Sequence, residues 1–94
     1  MIKMRVVNPE KARMKTIILN DLKSNITNLT TVKNDTMDTS AIIANVVSGS
    51  VVGVDQELAG HCQRIRELLD QVIQGLNHSR DLAEQLDVTE EVSE

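Results

Sequence analysis

The stretch from Leu58 to Leu86 constrains this chain more than any other, because Leu58, Cys62, Ile65, Leu69, Val72, Leu76, Ser79, Ala83 and Leu86 succeed one another at alternating steps of four and three residues. Such steps return a side chain to one stripe of an α-helix, whereas a half-buried strand needs a step of two. Four heptads with Ser79 as their only polar member therefore predict a long helix packed along a seam. Val54, Leu68 and Leu82 run beside that seam and Ile73 lies on its other shoulder, so the apolar surface is broader than a single partner helix covers.

The first half predicts a second helix. Asn8 precedes Pro9, whose missing N–H costs nothing in a first helical turn, and Glu10 suits the positive end of the helix dipole. Residues 1–7 are then expected to be a short, loose leader. Ala12, Leu19, Leu22, Ile26 and Leu29 keep three-four spacing, and Ile18 and Val32 widen the stripe. Many threonines and asparagines lower the helix propensity of this segment, so packing has to sustain it.

Two segments could end helix one: Asn34–Ser40, rich in Asn, Asp and Thr, and Ser48-Gly49-Ser50 followed by Gly53. Length favours the second. A turn there leaves two arms of roughly 38 residues, each about 56 Å long, that pair throughout. The expected architecture is all-α, an antiparallel two-helix hairpin with helix one at about 9–47, the turn at 48–50 and helix two at about 51–90, completing a bundle with a partner. A kink or frayed turn is expected near 35–40. Gly49 and Gly53 are read as permissive backbone at the hairpin tip.

Ninety-four residues without Phe, Tyr or Trp must build an aliphatic core, which at this size leaves a marginal fold. Cys62 is the only cysteine, so no internal disulfide can staple the chain. His61 and Cys62 point about 100° apart on a helix and His78 lies turns away, so no metal site is expected. Association is the remaining route to stability.

The net charge of −4 is unevenly spread, with Lys3, Arg5, Lys11, Arg13 and Lys15 near the start and Asp81, Glu84, Asp87, Glu90, Glu91 and Glu94 near the end. A hairpin that brings residue 10 beside residue 87 lets the two ends attract. Nucleic acid is a poor partner for a basic segment with no aromatic to stack on bases. No basic segment followed by an apolar stretch opens the sequence, so no cleavable signal peptide is expected. The most apolar run, 41–54, is too short to span a membrane and contains Asn45, Ser48 and Ser50.

No phosphate-binding glycine loop, nucleophile elbow, catalytic carboxylate pair, cofactor motif or metal cluster is present, and no enzyme is expected. His61, Cys62 and His78 are read as ordinary helix residues. Sequons at Asn25, Asn28, Asn34 and Asn77 are those an Asn- and Thr-rich chain generates by chance. In the closing string Asp81–Glu91, Leu86 and Glu90 would share a face if helix two continues, and would present an apolar anchor with an acid.

Three segments together resemble the small helical-hairpin proteins of Gram-positive type VII secretion, particularly the accessory proteins that accompany LXG toxins. They are Val7-Asn8-Pro9-Glu10-Lys11-Ala12, the central Val47-Ser48-Gly49-Ser50, and Leu82-Ala83-Glu84-Gln85-Leu86-Asp87-Val88-Thr89-Glu90. No Trp-x-Gly stands at the turn, and Leu86 stands where the family's export motif has an aromatic, with Glu90 in the place of its acid. The resemblance implies a targeting factor that packs against the helical N-terminal region of a toxin, or against another small helical protein. Leu58, Ile65, Leu68, Leu69, Val72, Leu76 and Leu82 would bind the partner. Leu86 and Glu90 would contribute an export signal read by the secretion ATPase. Such a chain is cytoplasmic before export and leaves without a cleaved signal peptide. The competing expectations are a homodimeric four-helix bundle with an adaptor role and a DNA-binding regulator acting through the basic start of helix one.

Overall fold

The computed structural model describes residues 2–93. Helix α1 runs Pro9–Val47, and Asn8 caps it with extended backbone, φ −90° and ψ 112°. The Asn8 Oδ1 accepts the N–H groups of Glu10 and Lys11 at 3.0 and 3.2 Å, so two donors that the first turn leaves unpaired are satisfied. The threonines that weaken helix propensity are accommodated locally. Those at 16, 27, 30, 31, 36 and 39 turn their hydroxyls onto the carbonyl four residues earlier, at 2.7 to 3.2 Å. The frayed turn expected as one alternative near residues 35–40 does not occur; α1 is helical throughout, and Lys33 pairs with Asp70 of the opposing helix just before that segment.

The chain turns at Ser48-Gly49-Ser50. Gly49 takes φ +75°, a conformation that costs a glycine nothing, and Ser50 N–H donates to Val47 O at 2.9 Å. The Ser50 hydroxyl accepts the Val52 N–H at 3.1 Å and donates to Asp55 at 2.6 Å, tying the loop to the first turn of helix α2, Gly53–Glu84. The two helices lie antiparallel in a rod of 78 × 17 × 13 Å.

The inner seam is not the one the sequence points to. On α1 the half-buried positions are Ala12, Lys15, Leu19, Leu22, Ile26, Leu29, Lys33, Thr36, Ser40, Ile43 and Val47, an unbroken three-four repeat. On α2 they include Asp55, Ala59, Cys62, Arg66, Leu69, Ile73, Leu76 and Arg80, ending in the buried Ala83. Part of the expected α2 seam is therefore correct: Cys62, Leu69, Leu76 and Ala83 face α1. The rest, Leu58, Ile65, Val72 and Ser79, is exposed, replaced inside by Ala59, Arg66, Ile73 and Arg80, and Leu86, also exposed, lies beyond the end of α2. Small side chains and the snorkelling stems of arginines let two long helices approach while larger aliphatics remain outside.

Both ends differ from expectation. Residues 3–7, expected as a loose leader, form strand β1, Lys3–Val7. Helix two, expected to reach residue 90, stops at Glu84, and strand β2, Thr89–Ser93, follows. The strands pair antiparallel, Lys3 opposite Ser93, Arg5 opposite Glu91 and Val7 opposite Thr89. Two local causes end α2. The Asp87 carboxylate accepts the Thr89 N–H at 2.8 Å and hydroxyl at 2.5 Å, folding the chain into a turn. The Lys15 ammonium meanwhile donates to the carbonyls of Glu84 and Leu86, at 2.7 and 3.2 Å, and so caps the negative end of the helix. The charge asymmetry of the termini is used in the ribbon, where Lys3 meets Glu91 at 3.5 Å and Arg5 meets Asp87 at 2.7 Å, while Glu10 pairs within its own helix with Arg13.

Candidate docking face

One rule of position separates the two broad faces of the hairpin. Because the helices are antiparallel, residues immediately preceding inward-facing ones fall on the same side of both, and residues immediately following fall on the other. The clefts agree: Met14 and Ile18 line one with Leu86, whereas Met37 lines another, on the opposite side, with Gln63 and Asp70. The preceding positions on α2 are Val54, Leu58, His61, Ile65, Leu68, Val72, Gly75, Ser79 and Leu82. On α1 they are Lys11, Met14, Ile18, Asp21, Asn25, Asn28, Val32, Asp35, Thr39, Ile42 and Val46. The opposite face of α2 carries Gln56, Gln63, Glu67, Asp70, Gln74, Asn77, Asp81 and Glu84. Among the large exposed aliphatics of the two helices, only Ile17 and Met37 lie off the apolar side.

That side is open to solvent. Leu58, Ile65 and Leu68 each keep 47 % of their surface exposed, Leu82 53 % and Val46 79 %, whereas Ala83 alone is buried among the described residues. Of the seven expected partner-binding residues, Leu58, Ile65, Leu68, Val72 and Leu82 lie on this face. Leu69 and Leu76 do not; they are half-buried against α1 and serve the hairpin itself. Met14, Ile42 and Val46 were not anticipated as docking residues, since their neighbours at Asp21, Asn25, Asn28 and Asp35 interrupt the apolar repeat of α1. The legible sign was their phase, one residue ahead of each inward position.

Leu86 and Glu90 do not share a helical face, because α2 has ended before either. Leu86, still exposed, extends the apolar side toward Met14 and Ile18. Glu90 sits in β2, and its carboxylate accepts the Asn8 side-chain N–H at 3.0 Å. Between them, Asp87 is held below the usual carboxylate range, first by the hydroxyl and backbone N–H of Thr89 and further by the Arg5 guanidinium.

The remaining chemical candidates are dispersed. Cys62 is a half-buried thiol in the inner seam, His61 is exposed with a ring nitrogen 3.8 Å from Glu57, and His78 is exposed. Among the described residues no three His, Cys, Asp or Glu side chains are placed to hold a metal ion, and no helix is long and apolar enough to cross a membrane. Compared with protein-family models, curated proteins and solved structures, the chain matches none.

Proposed function

We propose that this chain is a non-catalytic docking protein whose apolar face takes up the helices of a partner, and that the partner is the helical N-terminal region of an LXG-type toxin bound for type VII export. The single observation that carries the docking reading is the one-sided surface of α2, aliphatics on one side and amides and acids on the other, to which α1 adds Met14, Ile18, Val32, Ile42 and Val46 among polar residues. The accessible area is consistent with it. A folded monomer of 10.4 kDa is expected to expose about 5,400 Å², and this one exposes 7051 Å². The excess of about 1,650 Å² belongs to the rod shape as a whole, and a bundle partner would cover part of it.

Toxin binding and export rest on the sequence resemblance described above. In this reading the hairpin supplies two helices of a composite bundle, holds the toxin region in the cytoplasm, and leaves with it; the exposed Leu86 end and Glu90 add to what the secretion ATPase recognises. Co-expression with the helical N-terminal region of the cognate toxin tests it. A co-purifying complex that Ile65→Asp abolishes and Glu67→Ala, on the polar face, leaves intact is the expected result. No complex with the wild-type chain would remove the toxin from the proposal.

A second reading, a homodimeric four-helix bundle, is favoured by the symmetry of the same face. Turned about an axis level with Thr30 and Asp70, α2 meets a second α2 with Val54 against Leu86, Leu58 against Leu82, His61 against Ser79, Ile65 against Gly75 and Leu68 against Val72. About that axis α1 pairs Met14 with Val46 and Ile18 with Ile42. On α2 large residues oppose large or small ones and polar oppose polar; on α1 the one mismatch is Asn28 against Val32. Ile65→Cys together with Gly75→Cys, in a Cys62→Ser background, should then crosslink two copies; a purified chain that remains monomeric on sizing would eliminate this reading.

A further inference from the structure

The ribbon that joins the chain ends has two edges, and they are not equivalent. Asn8 N–H donates to Val88 O at 2.8 Å, so Asn8 and Val88 form a hydrogen-bonded pair. Alternation along an antiparallel ladder then places Val6 with Glu90 and Met4 with Val92 as the inward-bonding pairs. The N–H and C=O groups of Lys3, Arg5 and Val7 point outward from one edge, and those of Thr89, Glu91 and Ser93 from the other.

The β2 edge is obstructed where it begins. The outward N–H of Thr89 is taken by Asp87 at 2.8 Å, and its carbonyl accepts from the Arg5 guanidinium at 3.2 Å. The β1 edge has no such cover: among the described residues none of the outward backbone groups of Lys3, Arg5 and Val7 meets a protein partner. Natural proteins guard edges with short strands, charged side chains, bulges, prolines or covering segments; of these β1 has its shortness and its Lys3 and Arg5, so its edge is a template only for a strand that brings opposite charge. Pro9 stands beyond the strand, not in it.

We infer that the outer edge of β1 receives an extended segment of another protein, added antiparallel or parallel as a third strand, with acidic side chains on the Lys3 and Arg5 side and apolar ones over Met4 and Val6. Alternation sets that chemistry. Lys3, Arg5 and Val7 project to one side of the ribbon and Met4 and Val6 to the other. Lys3 and Arg5 keep 70 and 54 % of their side chains exposed while paired with Glu91 and Asp87, which leaves their open flanks for acids on the incoming strand. A second copy of β1 is disfavoured as the occupant by the same residues, since the full-length antiparallel register sets Arg5 against Arg5 of the other copy and a two-residue slip sets it against Lys3. This surface is separate from the apolar face and does not depend on the toxin reading.

The test is amide exchange by NMR on the intact chain with short synthetic peptides. The probe alternates valine and glutamate; one control replaces glutamate by lysine, and another carries N-methyl groups on the amides of one edge and presents the other edge unable to pair in register. The expected result is exchange slowed about tenfold or more at Lys3, Arg5 and Val7 with the acidic probe alone. Val7→Pro removes an outward N–H without touching the ladder to β2 and should abolish that protection. Protection by the lysine peptide to the same degree, protection centred on Thr89, Glu91 and Ser93, retention in Val7→Pro, or no protection at saturating acidic probe would each overturn the inference. So would protection that grows with protein concentration alone. If Val7→Pro fails to fold, the N-methylated peptide decides the same question.

Discussion

Single side chains at the base of the rod carry disproportionate duties. Asp87 receives the Thr89 hydroxyl and N–H and the Arg5 guanidinium, and its depressed folded-state pKa means that the unfolded chain binds its proton more readily. The stability it contributes is present above the ordinary carboxylate value and is lost as pH falls through the lower, folded one. Asp87→Asn is therefore expected to lower the melting temperature near neutral pH. The difference from wild type should shrink as the acid limb is approached, read by circular dichroism at a series of pH values. A constant difference across that series would show that the carboxylate's charge is not what matters. Asn8 combines a helix cap with a hydrogen bond to Glu90, so Asn8→Ala should cost about 1 kcal/mol or somewhat more in urea unfolding. Asn8→Asp, which keeps the cap acceptor and places a charge beside Glu90, should recover only part of it.

At the scale of elements, the two long helices were legible because the first carries a cap at Asn8, each carries a periodic stripe and they share a turn at Ser48–Ser50. The phase of α2 was not. Leu58, Cys62, Ile65 and Leu69 form a better apolar heptad than Ala59, Cys62, Arg66 and Leu69, and periodicity alone assigns the greasier stripe to the nearest helix. The real hairpin turns half of that stripe outward. The strands were missed for a related reason: five-residue pieces such as Lys3–Val7 and Thr89–Ser93 gain stability only from each other, across the whole chain. The helical pairing of Leu86 with Glu90 failed with them. A pair of substitutions separates the two stripes. Leu69→Ala, in the inner seam, should destabilise the isolated hairpin by about 2 kcal/mol. Ile65→Ser, on the exposed face, should change its stability by no more than about 0.5 kcal/mol yet abolish association. Equal losses of isolated-chain stability would return Ile65 to the intramolecular seam.

For the whole molecule, the half of the rod nearest the turn is the weaker. There the inner seam contains Thr36, Ser40, Ala59, Cys62 and Arg66 with Ile43 and Val47 as its large aliphatics, while Val32, Ile42, Val46, Leu58 and Ile65 lie outside. More aliphatic surface is available to another molecule at that end than to the opposing helix. Amide exchange on the unassociated chain should be fastest in the segments flanking the turn and should slow most there when the apolar face is covered. Uniform slowing along both helices would contradict this gradient.

Closing the ribbon imposes an order of events. Bringing Lys3 within bonding distance of Ser93 from an unfolded chain closes a loop of nearly the entire sequence, at an entropic cost that a few backbone bonds do not recover. Once the helical arms have zipped from the tip, the same encounter spans only the short distance between neighbouring helix ends. The clasp is thus a late event in folding, one that waits on the pairing of the arms.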